Sequence, residues 1–352
     1  MRSGTWVSIG IALLWSATEV AKAEDTRPVS EVAAGVHLIE HRSAPFEGGN
    51  TIVIIGSESV LVVDSGFIPY VAREDIATIA TLTDKPVRYL LNTHWHNDHV
   101  MGIHAYAEAF PGLIILAQEQ TARDMDLNIA QAARRTLPSW RAQIEQVDQQ
   151  VSSLPQFEQP QRDTLMALRN RLVTAEADYR ELTYRAPTLR FERGLTLDLG
   201  ERQVRIEHLG RGNTNGDSVL YIGDAKVLIS GDLLVYPLPY VHDGYASEWI
   251  DTLQRLRDFD AQIIIPGHGP ALSDWHYLDQ VRALFSAAIE QVNTRISEIG
   301  PAEFRTLAEI EGHVDLSSFK AAFASGDPEI AAEFDRMAGR LVRLVFKEAS
   351  LR

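Results

Sequence analysis

Short apolar, β-branched runs dominate the first third of the chain. Val36–Glu40, Thr51–Ile55 and Val60–Val63 are such runs, separated by Gly, Ser and Asn, and they predict strands. The pattern then predicts a helix over Tyr70–Leu82, a strand over Val87–Asn92, a helix over Val100–Phe110 and a buried strand over Leu113–Ala117. Between Gln118 and Arg185 the strand signals vanish and charges crowd in. Trp140, Ile144, Val147 and Val151 recur there at helical spacing, as do Leu165, Leu168, Leu172, Ala175 and Tyr179, with Pro155 and Pro160 between the two stripes. That spacing predicts a helical hairpin inserted into an α/β domain, each helix burying one face. Strand patterns resume at Leu195–Leu199, Val204–Leu209, Ser218–Ile222 and Val227–Ser230, with Gly223-Asp224 as a tight turn between the last two. Glu248–Phe259 is amphipathic, with Trp249, Ile250, Leu253 and Leu256 on its inner face, Gln262–Pro266 is a final strand, and residues 271–352 read as mostly helical. Two strand-rich halves, each closed by helices, predict a sandwich of sheets with helices outside.

Composition narrows this picture. The 352 residues are 45% hydrophobic and 23% charged, ordinary for a globular chain with a large core. Residues 1–23 fit a signal peptide: Arg2 gives a positive start, Trp6–Ala17 is short and largely apolar, and Ala21-Lys22-Ala23 matches a small-x-small cleavage site. The run is too short to span a bilayer comfortably, so the mature protein, residues 24–352, is expected to be periplasmic or secreted, without stable membrane insertion. The absence of cysteine removes thiol-based mechanisms and thiolate metal ligands. A net charge of −15 argues against a nucleic-acid partner and leaves a small-molecule substrate as the expectation.

The candidate chemistry lies in Thr93-His94-Trp95-His96-Asn97-Asp98-His99, directly after a predicted strand. Three imidazoles and a carboxylate on one short anchored loop suit zinc and related divalent ions, whereas a merely solvated loop rarely carries so many. At these residues the sequence resembles the metallo-β-lactamase superfamily, whose H-x-H-x-D-H signature it reproduces. Further motifs of that family follow the same order: Leu61-Val62-Val63-Asp64-Ser65-Gly66, Ile229-Ser230-Gly231-Asp232 and Pro266-Gly267-His268-Gly269. The resemblance runs from about Val36 to Pro270 and implies an αββα sandwich, interrupted by the helical insertion of about residues 118–185 and followed by a helical C-terminal region.

The resemblance also implies roles. His94 and His96 would hold one metal ion, Asp98, His99 and His268 a second, and Asp232 would bridge them. A water acidified by the metals would be the nucleophile, oriented by Asp98. Zinc is the expected metal, as one or two ions, with iron or manganese as alternatives. Asp64 is a candidate for fixing a ligand histidine through its other ring nitrogen, and equally a simple turn aspartate. Leu209-Gly210-Arg211-Gly212-Asn213-Thr214-Asn215-Gly216-Asp217 departs from the family's G-x-x-H-T-x-G-D pattern, because Asn213 stands where the third histidine of the first site belongs. An amide oxygen is a poorer donor than imidazole, so one ion is expected to be held more loosely. His208 and Asp217 read as structural, and His37, His41, His104, His242, His276 and His313 have no motif context. Tyr236, Tyr240 and His242 lie on a proline-stiffened loop after Asp232 and are candidates for the substrate pocket. The expected reaction is hydrolysis of a lactam, lactone, ester or thioester, and Asp232 without cysteine is more like the lactonase-like and glyoxalase II-like branches than the zinc β-lactamases. The alternatives are an iron-dependent oxidoreductase and a degenerate metal-binding protein without catalysis. The insertion is expected to wall the site and shape its specificity.

Overall fold

Pairing of the β-branched runs in sequence order builds the first sheet. In the computed structural model, which describes residues 27–41, 48–155, 158–242, 244–300 and 306–350, seven strands lie side by side in chain order. They are β1 (Val29–Ala33), β2 (Val36–Ile39), β3 (Thr51–Ile55), β4 (Val60–Val63), β5 (Val87–Asn92), β6 (Ile114–Gln118) and β7 (Leu189–Phe191). The first four run antiparallel, and β4 through β7 run parallel, each parallel step crossing through helices: α1 (Pro69–Leu82), then α2 (Asn97–Val100) with α3 (Ile103–Ala109), then α4 (Glu119–Ser153) with α5 (Gln159–Glu181). The second sheet orders β12 (Ile263–His268), β11 (Val227–Val235), β10 (Val219–Ile222), β9 (Gln203–Glu207) and β8 (Gly194–Asp198). Its β11–β12 pair is parallel, linked through α6 (Ala246–Leu256). The helices α7 (His276–Ile299), α8 (Leu307–Glu311), α9 (Ser317–Ala324) and α10 (Pro328–Ser350) follow.

Three apolar layers hold the sandwich. Between the sheets, Leu38, Ile52, Leu61 and Leu91 belong to one buried cluster with Ile206, Leu220, Ile229 and Ile265. Outside the first sheet, α1, α3 and the α4–α5 hairpin close a second cluster, and outside the other sheet α6, α7 and α10 close a third. The architecture is therefore αββα with a helical C-terminal region.

Several local expectations need correction. β1 is largely exposed and β7 has three residues, too little apolar patterning for either to be read as a strand. The helix expected over Val100–Phe110 is two helices broken at Gly102, where a β-carbon would sit 1.9 Å from the Ser65 carbonyl oxygen. The turn expected at Gly223-Asp224 is a four-residue loop, because Ile222 pairs with Val227 and Lys226 takes a positive φ of 51°. β11 continues past Ser230 to Val235, with a register shift at Gly231, and β12 continues to His268, so Asp232 and His268 are carried on paired strands rather than on free loops. The insertion starts at Glu119, since Gln118 still belongs to β6 and its side chain caps the helix. The signal segment expected at residues 1–23 lies outside the described residues. Among the described residues no helix is long and apolar enough to cross a membrane.

Candidate metal centre

Five separate stretches deliver the candidate ligands to one end of the sandwich. Asp64 ends β4, the His94–His99 loop leaves β5, Asn213 follows β9, Asp232 sits on β11 and His268 ends β12. Parallel strands place their C-terminal ends on the same side, which is why β4, β5, β11 and β12 converge there. The Asn213 loop is fixed by Asp217, whose carboxylate accepts from the Thr214 backbone at 2.9 Å and from its hydroxyl at 2.8 Å. Thr121, in the first turn of α4, donates to the Gly216 carbonyl at 2.7 Å, so the insertion abuts this loop from the outside. His208 donates from Nδ1 to the Asp217 carbonyl at 2.7 Å, a structural contact.

One group of four atoms has the spacing of a coordination shell. His99 Nε2 lies 3.4 Å from Asp98 Oδ2, 3.3 Å from Asp232 Oδ1 and 3.3 Å from His268 Nε2. His268 Nε2 lies 3.0 Å from Asp98 Oδ2 and 3.6 Å from Asp232 Oδ1. Ligand bonds to tetrahedral zinc of about 2.0–2.2 Å imply donor–donor edges of about 3.3–3.6 Å. Five of the separations among two carboxylates and two imidazoles therefore already lie near the edges that ligands of one ion require. The donors suit a hard-to-borderline divalent ion.

The neighbouring group is less complete. Asp232 turns its other oxygen, Oδ2, toward His94 Nε2 at 3.6 Å, so the one carboxylate faces both groups. His94 Nε2 and Asn213 Oδ1 are buried without a hydrogen-bond partner. Asn213 Nδ2 lies 3.4 Å from His96 Nδ1, and because amide oxygen and nitrogen exchange places by a simple flip, the carboxamide can present either atom. Three donors fall within 4.8 Å of one another in two sets, His94 with His99 and Asp232, and Asp98 with His99 and His268. His96 joins neither set and stands beside Asn213 instead. A divalent ion here would be held by His94 and Asp232, with His96 and the Asn213 amide as the further donors nearby, and with one charged donor against two in the first group.

Asp64 orients both histidines. Its Oδ2 accepts from His99 Nδ1 and from the Thr93 hydroxyl, each at 2.8 Å, and its Oδ1 accepts from the Thr93 backbone at 2.8 Å. Thr93 Oγ1, having spent its proton on Asp64, accepts from His94 Nδ1 at 3.0 Å. Both rings thus carry a proton on Nδ1 and present Nε2 as the atom available to an ion.

Electrostatics agree with a cation site. Burial opposes ionisation of Asp98 and Asp232, yet the imidazoles around them, His99 foremost, hold both carboxyls below their ordinary range. Burial likewise opposes charge on His99 and His268, yet Asp232 and Asp98 raise both. His94 is pushed well below the usual value by burial and by His99. In the protein alone, protons on His99 and His268 balance carboxylates that a divalent ion would balance better.

Aromatic side chains lie close to the ligands. The Tyr240 ring sits 5.8 Å from His96 and 4.5 Å from His242, and Trp95 stacks edge-on at 5.0 Å from His96. Tyr236 packs on Tyr277 at 5.2 Å while remaining 38% exposed, so it is a partly solvated wall. Asn50, not singled out from the sequence, donates from Nδ2 to the carbonyls of Pro266 at 2.9 Å and Gly269 at 2.8 Å, holding the His268 loop. Its signal was the Gly48-Gly49-Asn50 run before β3, which reads from the sequence as an ordinary turn.

Comparison with known proteins follows the same lines. Residues 44–268 match the model of the metallo-beta-lactamase superfamily. The linear primary-alkylsulfatase of Pseudomonas sp. (strain ATCC 19151) is 24% identical over 251 residues, covering 68% of this chain but only 45% of the alkylsulfatase. The acyl-coenzyme A thioesterase MBLAC2 of Bos taurus is 25% identical over 264 residues, covering 66% of this chain and 78% of the thioesterase. Among solved structures, a metallo-beta-lactamase from Pontibacter korlensis superposes with a TM-score of 0.54 at 18% identity, covering 74% of this chain and 98% of that one. The DIM-1 metallo-beta-lactamase superposes with a TM-score of 0.52 at 16% identity, covering 74% and 97%. The paired sheets, the ordered ligand motifs and a family match across most of the chain lead to one conclusion: this chain belongs to the metallo-beta-lactamase superfamily.

Proposed function

We propose that this centre, loaded with zinc, hydrolyses a neutral carboxylic acid derivative such as an ester, lactone or thioester. The carrying observation is the convergence of Asp98, Asp232 and His268 donors within 3.0–3.6 Å of one another or of His99, beside His94. Bound divalent ions supply Lewis acidity, lowering the pKa of water toward ~7 and polarising the scissile group. Asp64 and Thr93 keep the His99 and His94 lone pairs directed inward throughout. The Asp98 carboxylate, 31% exposed and hydrogen-bonded to His268 on one oxygen, is placed to accept and orient a proton of the attacking water. Tyr236, Tyr240 and Trp95 offer apolar surface for an acyl or aryl group. A neutral substrate is favoured because the net charge of −15 repels anions. The apolar segment at residues 1–23 supports export as part of the same proposal.

A second reading, organosulfate hydrolysis, rests on the likeness to the alkylsulfatase. One panel separates the readings: p-nitrophenyl esters, simple lactones, an acyl thioester, nitrocefin and dodecyl sulfate, each with zinc-loaded and chelator-treated protein. Turnover of esters, lactones or thioesters that is lost with chelator, restored by zinc and cut by about 100-fold or more in Asp98→Asn is expected. Turnover of dodecyl sulfate alone supports the second reading. Inactivity toward every carboxylic substrate with two metal equivalents bound sinks the first. Metal analysis of protein purified without added zinc tests the redox alternative, for which iron in excess of zinc with oxygen consumption is required.

A further inference from the structure

Beside the metal ligands lies a second buried cluster of charge. His41, just past β2, and Asp75, on α1, are both buried. His41 Nε2 lies 3.0 and 3.2 Å from the two Asp75 oxygens, and His41 Nδ1 lies 2.7 Å from the Gly49 carbonyl oxygen. A carbonyl only accepts, so Nδ1 carries a proton, and an ionised carboxylate only accepts, so Nε2 carries one too. The ring is an imidazolium paired with Asp75. Thr51 Oγ1 and Arg27 Nη1, each at 3.2 Å, complete the surroundings of the Asp75 carboxylate, and Glu74 faces Arg27 at 3.2 Å. Burial opposes this charge on His41, but the field and hydrogen bond of Asp75 outweigh it and raise its pKa.

Gly49 is where this cluster meets the metal centre. Its backbone N–H donates to the Asp98 carbonyl at 3.1 Å, and a β-carbon there would lie 2.1 Å from His99 Cε1, so the segment lies flat against the ligand ring. The next residue, Asn50, donates from its backbone to Gly267 at 2.7 Å and from its side chain to Pro266 and Gly269. Gly49 and Asn50 therefore bracket Asp98 and His99 on one loop against His268 on another. These three form one of the groups of mutually close donors.

We propose that His41 is a positioning residue for this centre: its Nδ1–H bond to Gly49 sets the bracket, and the bracket sets the spacing of Asp98, His99 and His268. A metal shell tolerates ligand displacements of only about 0.2 Å, so a small drift of the bracket lowers affinity. A buried ion pair is weak as a stabiliser compared with apolar packing of the same volume, and holding a direction is the better-attested use of one. The proposal rests on the metal-centre reading. Zinc-free wild type that takes up no cobalt overturns that reading, whereas wild type that binds normally leaves this proposal open to its own test.

Two amide variants divide the two bonds. In His41→Asn the amide nitrogen overlays Nδ1, keeping the donor to Gly49 and giving up Asp75. In His41→Gln it overlays Nε2, keeping Asp75 and giving up Gly49. Cobalt affinity is read by chelator competition, with the cobalt absorption spectrum as the signature of ligand geometry. The expected result is a loss of about 10-fold or more for the tighter ion in His41→Gln, with an altered spectrum, and a loss within about 3-fold in His41→Asn. A merely structural ion pair lowers the thermal midpoint of both without splitting their affinities, and equal affinities in the two variants overturn the proposal. Asn50→Ala, which loosens the other end of the bracket without exposing a buried charge, carries the same expected loss as His41→Gln. Should His41→Gln not fold, unchanged cobalt affinity in Asn50→Ala overturns it.

Discussion

Asp64 adopts φ of +60°, a left-handed conformation that costs a residue with a β-carbon and that aspartate tolerates better than most. The cost is accepted because this backbone aims one carboxylate at Thr93 and His99 together. Asp64→Ala and Asp64→Gly should therefore weaken metal binding alike, by about 10–100-fold in chelator competition, while the glycine variant is the more stable in denaturant by about 1 kcal/mol. Preserved affinity in either would reduce Asp64 to a turn residue. Asn213 predicts unequal ions: after dialysis, metal analysis should find the wild type near one equivalent, and Asn213→His should approach two, with the second ion bound about 10-fold tighter. Two firmly held equivalents in the wild type would refute the asymmetry. His41 gives a pH dependence in the metal-loaded protein, where the groups acting on it are Asp75 and Arg27, with Glu74 behind Arg27, and where Asp75 also acts on the buried Tyr106 hydroxyl. The folded pKa is raised above the unfolded value of about 6.5, so the stabilisation is full below that pH and is lost as pH rises through the folded value. Asp75→Asn should flatten the difference in thermal midpoint between pH 6 and pH 9, and an unaltered difference would show that the pair does not titrate. At this scale the contiguous His94–His99 loop was legible in the sequence because its donors are neighbours. Asp64 was legible as a partner of some ligand histidine, but which one it holds, and the His41–Gly49 contact, were not, because they join residues whose proximity only strand pairing creates.

The hairpin of α4 and α5 shows which elements the sequence displays clearly. Each helix buries one stripe, so Trp140, Val147, Leu165, Leu172 and Tyr179 repeat at 3.6 and stand out against the charges between them. β1 and β7 escape such reading because an exposed edge and a three-residue strand leave no alternation to detect. The same holds for the far end of β11, where the bulge at Gly231 breaks the period just before Asp232. The hairpin is pinned to the domain by a trio of rings, Phe67, Trp140 and Tyr179, with centroids 5.7–6.0 Å apart, and by the Tyr179 hydroxyl donating to the Phe67 carbonyl at 2.7 Å. Trp140→Ala should cost about 3–5 kcal/mol at that contact and free the hairpin before the sheets. Limited proteolysis would then cut first between residues 119 and 181 while the thermal transition of the sandwich persists. If the variant is cleaved elsewhere first, the trio is not the pin. If it is cleaved there with kcat/KM unchanged across substrates, the hairpin does not wall the pocket.

At the scale of the molecule, the two-sheet architecture was legible because both halves carry strand patterns closed by helices, whereas the meeting of their ends was implied only by the ordered motifs. The physical consequence is that the centre is also a cross-brace. Asp64, Asp98 and His99 belong to the seven-stranded sheet and its loops, while Asp232 and His268 belong to the five-stranded sheet. The apolar interlayer joins the sheets through their middles, with Leu61 and Leu91 clustered with Ile229 and Ile265. At the ligand end, the clustered donors are mostly charged, and two carboxylates share one small volume. Without an ion that end is held by protons on His99 and His268 and by the Asn50 bracket. An ion that binds only the folded arrangement adds RT ln(1 + [L]/Kd) to stability, about 2.7 kcal/mol at a hundredfold excess over Kd. Chelation should therefore lower the thermal midpoint by several degrees, and zinc should restore it in a concentration-dependent way. The loss of hydrogen-exchange protection should concentrate at residues 93–99 and 266–269, on opposite sheets, rather than across the apolar interlayer. A midpoint unmoved by complete metal removal would mean that the sheets are already locked at that end and that the ligands are preorganised by the protein alone. That outcome would shift the origin of affinity from folding linkage to the rigid bracket at Gly49 and Asn50.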